Sequence, residues 1–121
     1  ADDQIPAYRL SADSTLPKFG SMAKWWSSRL DAAMQALIGS SPVLDLRSGA
    51  YAAMWKPMGD IAQQVLVAKV LLEERKGVRK VVSHHNKATK GRLVRALSMQ
   101  SGQAKSPESL AAACEKAGVI T

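Results

Sequence analysis

The stretch from Ile61 to Leu72 constrains this chain most, because it is apolar on both alternating faces. A segment of that kind leaves no face for water and reads as a central strand covered on both sides. A covered sheet in turn requires helices packed against it. The longest apolar run inside it, Val65 to Leu72, is interrupted by Lys69. That is far short of the ~20 residues a membrane-crossing helix needs, so no membrane partner is expected. Beyond it, Glu73-Glu74-Arg75-Lys76-Gly77 forms a charged turn, and Val78 to His85 reads as the returning strand of a hairpin.

Helical patterns flank these strands. Tyr8-Arg9-Leu10 is a short extended piece, and residues 11–20 are rich enough in turn formers to be a loop. Met22, Trp25, Trp26, Leu30, Ala33, Met34, Leu37 and Ile38 recur at spacings of three and four, predicting one helix capped by Ser21 and stopped by Gly39. Its two tryptophans mark it as a packing helix. Val43-Leu44-Asp45-Leu46 is a short buried strand, and Ser48 caps a brief helix through Trp55 that Pro57 ends. Asn86 caps a further helix with Leu93, Val94 and Leu97 as its apolar stripe. Ser106 and Pro107 open the last helix, with Leu110, Ala113, Cys114 and Ala117 on one side. Gly118 stops it, and residues 118–121 look like a strand that is cut short. At 121 residues and 46% hydrophobic, the chain reads as an α+β domain with a mixed sheet and interleaved helices. The expected order is strand, helix, strand, turn, strand, helix, helix.

Charge points to a partner. Seventeen Lys and Arg against ten Asp and Glu leave a net charge of +7, a balance that suits an anion, nucleic acid first among them. The densest stretch holds Arg75, Lys76, Arg79, Lys80, Lys87, Lys90, Arg92 and Arg95 with no acidic residue between the first and the last. At ~100° per residue, Lys87, Gly91 and Arg95 share one helical stripe, Arg92 lies further round, and Lys90 borders the apolar face. A glycine inside a helix costs about 1 kcal/mol relative to alanine. Two explanations compete for Gly91: close packing on another element, or close approach of a phosphate backbone between the two flanking cations. A second anion candidate is the strand-to-helix junction at Arg47 and Ser48, where free N–H groups point outward; an ordinary N-cap is the simpler reading of Ser48.

Other chemistries find little support. No phosphate-binding glycine loop occurs. His84 and His85, read as adjacent strand residues, point to opposite faces and do not chelate one metal together. Ser21-Met22-Ala23-Lys24 matches a Ser-x-x-Lys acylation pattern without its companion motifs. Asp45 is expected at a strand end or paired with Arg9 or Arg47. The single cysteine, Cys114, excludes an internal disulfide, fits a reducing compartment and reads as a small buried hydrophobe. No metal and no cofactor are expected.

The ordered set AYRLS, KWWSSRL, VLDLRSGAYAAMWKP and VRKVVSHHNKATKGRLVRAL, spanning Pro6 to Leu97, resembles the C-terminal half of the YaaA-type peroxide-stress proteins. The family's Tyr-Arg-Leu falls on Tyr8, Arg9 and Leu10, and its Ser with a following Tyr on Ser48 and Tyr51. Its Lys-Pro falls on Lys56 and Pro57, and its Lys-Lys-Ala-Arg-Gly on Lys87, Ala88, Thr89, Lys90 and Gly91. Departures are Asp45 for a common Asn, Arg47 for Ala, Ala88 for the second Lys and Lys90 for Arg. The resemblance implies an α+β fold with a basic cleft in a cytoplasmic bacterial protein that protects against hydrogen peroxide, limits iron-dependent damage and binds DNA. Members are about twice this length, so the chain is expected to be the C-terminal part of a larger domain.

Two functional readings follow. In the first, Lys87, Lys90, Arg92 and Arg95 contact DNA phosphates, flanked by Arg79, Lys80 and Arg9, with steep salt dependence and little sequence preference. In the second, an enzyme for a phosphorylated or nucleotide-like small molecule uses the same cleft. Asp45, Arg47, Ser48, Tyr51, Lys56, Ser83, His85 and Gly91 line that cleft, and Ser48, Tyr51, Lys56, Ser83, His85 and Lys87 supply its acid–base groups. Strand edges left unpaired would also invite self-association.

Overall fold

The computed structural model describes residues 2–7, 11–75, 78–81 and 83–117, with side chains described outside 71–85. In chain order the elements are β1 (Thr15–Leu16), β2 (Gly20–Ser21), α1 (Met22–Ser27), α2 (Leu30–Ile38), β3 (Val43–Asp45), α3 (Gly49–Ala52), α4 (Asp60–Gln64), β4 (Val65–Val67), β5 (Leu71–Arg75), β6 (Val78–Val81), α5 (Ser83–Ser98) and α6 (Pro107–Lys116). Helices interleaved with short strands make this an α+β fold, as the sequence predicts. The chain divides into two compact units: Ala1–Met34 with Arg47–Lys56, and Gln35–Leu46 with Pro57–Thr121.

In the first unit, residues 11–20 are more ordered than a plain loop, since β1 and β2 pair as a minimal antiparallel hairpin, Thr15 opposite Ser21. Ser21 caps α1 as expected, its Oγ accepting the Lys24 N–H at 3.2 Å. The single helix expected from Ser21 to Ile38 is broken after Ser27. Ser27 and Ser28 donate their hydroxyls to the carbonyls of Lys24 and Trp25 at 2.8 and 3.0 Å, and the Arg29 N–H turns to the Trp26 oxygen. Serine hydroxyls that bond back to the preceding turn compete with the helical ladder. Nor is α1 a packing helix: none of its residues is buried. Among the described residues of this unit the buried aromatic is Trp55, 5% exposed, whose Nε1 donates to Asp31 at 3.3 Å.

In the second unit, Gly39 ends α2 at φ +55°, the left-handed backbone that glycine adopts without penalty. The stretch from Ile61 to Leu72 is not one strand. It forms α4, then β4, then a short link, then β5. A short continuous apolar run carries no periodicity to separate helix from strand, so tertiary contacts decide. Here Gln64 donates Nε2 to the Gly39 oxygen at 3.1 Å, bringing the chain beside β3. Residues Val65–Val67 then pair in parallel with Val43–Asp45, and the Ala68 N–H reaches the Asp45 oxygen.

The expected hairpin is present, with β5 and β6 antiparallel and Leu71 opposite Val81. It ends earlier than expected. α5 begins at Ser83, so His84 and His85 stand on a helix rather than on opposite faces of a strand. Asn86 lies inside that helix instead of capping it, with a buried Oδ1 that has no partner among the described residues. Ser83-His84-His85-Asn86 contains no β-branched residue to favour extended backbone once pairing ceases. Ser106 and Ser109 form a reciprocal capping box at the start of α6, a device worth ~1 kcal/mol. α6 packs on β4 and α5. Ile38, Leu93, Leu110 and Cys114 are the buried apolar residues described in this unit. Gly118 and residues 119–121, expected as a helix stop and a cut strand, lie outside the described residues, as do Tyr8, Arg9 and Leu10.

Candidate nucleic-acid interface

α5 carries sixteen residues, and the helical period sorts them cleanly. Leu93 is 3% exposed, and Asn86, Thr89, Lys90, Ala96 and Leu97 are half-buried on the same side. Lys87, Ala88, Gly91, Arg92, Val94, Arg95 and Ser98 are all exposed, so Val94, expected in the apolar stripe with Leu93 and Leu97, instead lies one position off that side and faces outward. The outward face therefore presents Lys87, Arg92 and Arg95 with no carboxylate among them. Gly91 sits between Lys87 and Arg95, one turn from each. Among the described residues, a Cβ built there meets nothing within 4 Å, so none of them requires a glycine at this position. The helix backbone at Gly91 is open to a ligand from outside.

Lys90 behaves differently from the other cations. Its side chain is half-buried, and Nζ donates to the Leu46 carbonyl oxygen at 2.7 Å, just beyond the end of β3. It ties α5 to that strand's exit, where Asp45 is the last residue. Arg92 donates Nη2 to the Thr89 hydroxyl at 3.3 Å, a bond within one helical turn that leaves its exposed side chain on the outer face. Arg79 and Lys80 lie on β6, opposite Glu73 and Leu72. Ser83 and His85 lie in the first turn of α5. Arg9 is outside the described residues.

The second anion candidate belongs to the first unit. Ser48 occupies the N-cap of α3 without a side-chain capping bond. Arg47 turns to the far end of that short helix. Its Nη1 donates to the carbonyls of Trp55 at 2.9 Å and Tyr51 at 3.3 Å, and its guanidinium lies 5.3 Å from the Trp55 ring centroid. A guanidinium in that position satisfies orphan helix-end carbonyls and favours the negative end of the helix dipole. Tyr51 and Lys56 are exposed. The acid–base set proposed for an enzyme is thereby divided between units, with Ser48, Tyr51 and Lys56 in one and Ser83, His85 and Lys87 in the other.

Cys114 is 1% exposed, and burial pushes its thiol pKa up. The nucleophilic thiolate is thus disfavoured, in line with a packing role.

A model of the family described as "Peroxide stress protein YaaA" matches residues 1–118. The chain belongs to the YaaA peroxide stress protein family. Relatives agree with that membership. A UPF0246 protein of Streptomyces coelicolor is 46% identical over 95 residues, 78% of this chain and 35% of its own length. A UPF0246 protein of Corynebacterium glutamicum is 36% identical over 126 residues, covering 99% of this chain and 48% of the relative. One of Corynebacterium efficiens is 37% identical over 125 residues, or 98% and 47%. The chain spans half or less of the length of these relatives. No solved structure matches. No helix among the described residues is long and apolar enough to cross a membrane.

Proposed function

We propose that this member of the peroxide stress family binds the phosphate backbone of DNA, without reading sequence, through the outer face of α5. The observation that carries the reading is the open glycine between cations: Gly91, with no neighbour that a Cβ would meet, one turn from exposed Lys87 and one turn from exposed Arg95. Arg92 extends the positive surface. Bound there, the protein would act in the cytoplasm on DNA at risk from iron and peroxide, the setting to which the family's stress role points. Cations that meet phosphates position a backbone and release counterions on binding, which makes affinity fall steeply with salt.

The test is a titration of short duplex DNA across a salt series. Replacing Lys87 and Arg95 together with alanine should weaken binding at least tenfold and reduce the log–log salt slope by about 1.8, two phosphate contacts at ~0.9 each. Gly91→Ala should weaken binding by obstructing close approach while leaving the slope unchanged. A double variant with unaltered slope would place the DNA surface elsewhere.

A further inference from the structure

A second surface lies in the other unit and has nothing to do with α5. Between Asp13 and Asp31 the chain carries no acidic residue, yet it holds Lys18, Lys24 and Arg29 and half of all the aromatic residues, Phe19, Trp25 and Trp26. In a core segment the rings would be buried. Here Phe19 is 57% and Trp26 37% exposed.

The two tryptophans are held against each other, and Trp26 stays exposed. The Arg29 guanidinium stacks 4.3 Å from the centroid of the Trp25 ring, and its Nη1 also donates to the Trp25 carbonyl at 3.0 Å. Trp25 in turn meets Trp26 edge-to-face, at 4.8 Å between centroids and 87° between planes. That chain of contacts fixes the Trp26 ring while leaving part of it open to solvent. Phe19 is set at the tip of the β1–β2 hairpin, its N–H bonded to the Leu16 oxygen at 3.1 Å. Beside it Lys18 takes the left-handed backbone at φ +67°, an uncommon state for a residue with a side chain. The Lys24 side chain lies along Gly20, its Cδ 3.9 Å from where a Cβ would stand. The same segment thus carries a guanidinium stacked on Trp25, exposed Lys18 and Lys24, and two exposed rings, Phe19 and Trp26.

We infer that the hairpin tip and α1 form a binding surface for single-stranded nucleic acid, on which Phe19 and Trp26 stack unpaired bases while Lys18 and Lys24 meet the phosphates. Charge complementarity and the ring faces select this occupant together. Cations alone would serve any polyanion, but a stacking ring gains nothing from a duplex whose bases are already stacked inside. A Trp26 ring already held against Trp25 loses little freedom on binding. The surface is independent of the α5 reading, so either stands if the other fails.

The experiment follows tryptophan fluorescence during titration with a 15-residue oligothymidylate, with an abasic oligonucleotide of equal length, and with a duplex. Oligothymidylate should quench the emission and bind about tenfold or more tightly than the abasic strand, since one stacked base contributes about 1–3 kcal/mol. Phe19→Ala and Trp26→Ala should each lose about tenfold, and Phe19→Tyr and Trp26→Phe should retain binding. Duplex affinity should stay unchanged in all four variants. The double Lys87 and Arg95 variant should still bind oligothymidylate. Equal binding of the abasic strand, or alanine variants as tight as the parent, would overturn the proposal. So would absence of quenching, the result expected if polypeptide covers the rings.

Discussion

Two acid-free stretches of this chain carry its positive charge outward, and they differ in what lies beneath. α5 rests on a core: Leu93 is 3% exposed, and the packed helix α6 contributes buried Leu110 and Cys114. Its outer cations flank a glycine. α1 has no buried residue at all, and Lys24 within it and Arg29 just beyond it accompany aromatic rings. Cations with an open backbone suit phosphates alone, whereas cations with open rings suit phosphates and bases together. The contrast teaches that a basic segment's chemistry depends on what accompanies the charge. Whether the segment can also bear mutation depends on how its opposite face is used.

The largest expected difference between the two regions is in stability. Leu93→Ala empties a buried site under α5 and should cost 2–5 kcal/mol, roughly what cavity formation costs elsewhere. Phe19→Ala in the other unit should stay within about 0.5 kcal/mol, because an exposed ring leaves no cavity. Urea denaturation of both variants measures the difference. Comparable losses would mean that the hairpin tip packs rather than displays its ring.

A smaller effect separates the cations of α5 from one another. Lys90→Met removes the bond to the Leu46 oxygen and should cost about 1.5–3 kcal/mol, as expected for a hydrogen bond from a charged donor. It should leave the salt slope of duplex binding unchanged, unlike the loss of Lys87 and Arg95. A flatter slope in Lys90→Met would return that ammonium to the phosphate-binding set.

The smallest effect is pH-dependent and belongs only to the region with a core. Burial pushes the Cys114 thiol above the ordinary thiol range. The unfolded chain then loses its thiol proton first as pH rises. Cys114 accordingly favours the folded state less at pH 10 than at pH 8. Cys114→Ala should remove that part of the alkaline decline in urea stability. An unchanged alkaline slope in the variant would show that the thiol is already accessible in the folded protein.

Several features were legible in the residues alone because they depend on neighbours in the chain. Ser21 and Ser106 announce helix starts, since a hydroxyl at an N-cap needs only the N–H groups of the next turn. The β5–β6 hairpin is written as two apolar runs around a charged turn. The stripe of Lys87, Gly91 and Arg95 follows from the helical period, and membership of the peroxide stress family from four ordered motifs.

Other features were settled only when distant segments met. Residues 61–72 contain a helix end and two strands because Gln64 finds Gly39 and β4 finds β3, partners some twenty residues away that no local pattern specifies. Lys90 and Arg47 looked like anion ligands by charge, yet both turn to backbone carbonyls, since a carbonyl left without a donor is costly wherever water is excluded. The tryptophans of α1 looked like core by size, and tertiary packing buried Trp55 in the same unit instead. Gly91 had two explanations in the sequence. Only the three-dimensional surroundings, empty where a Cβ would stand, set aside packing against the described residues.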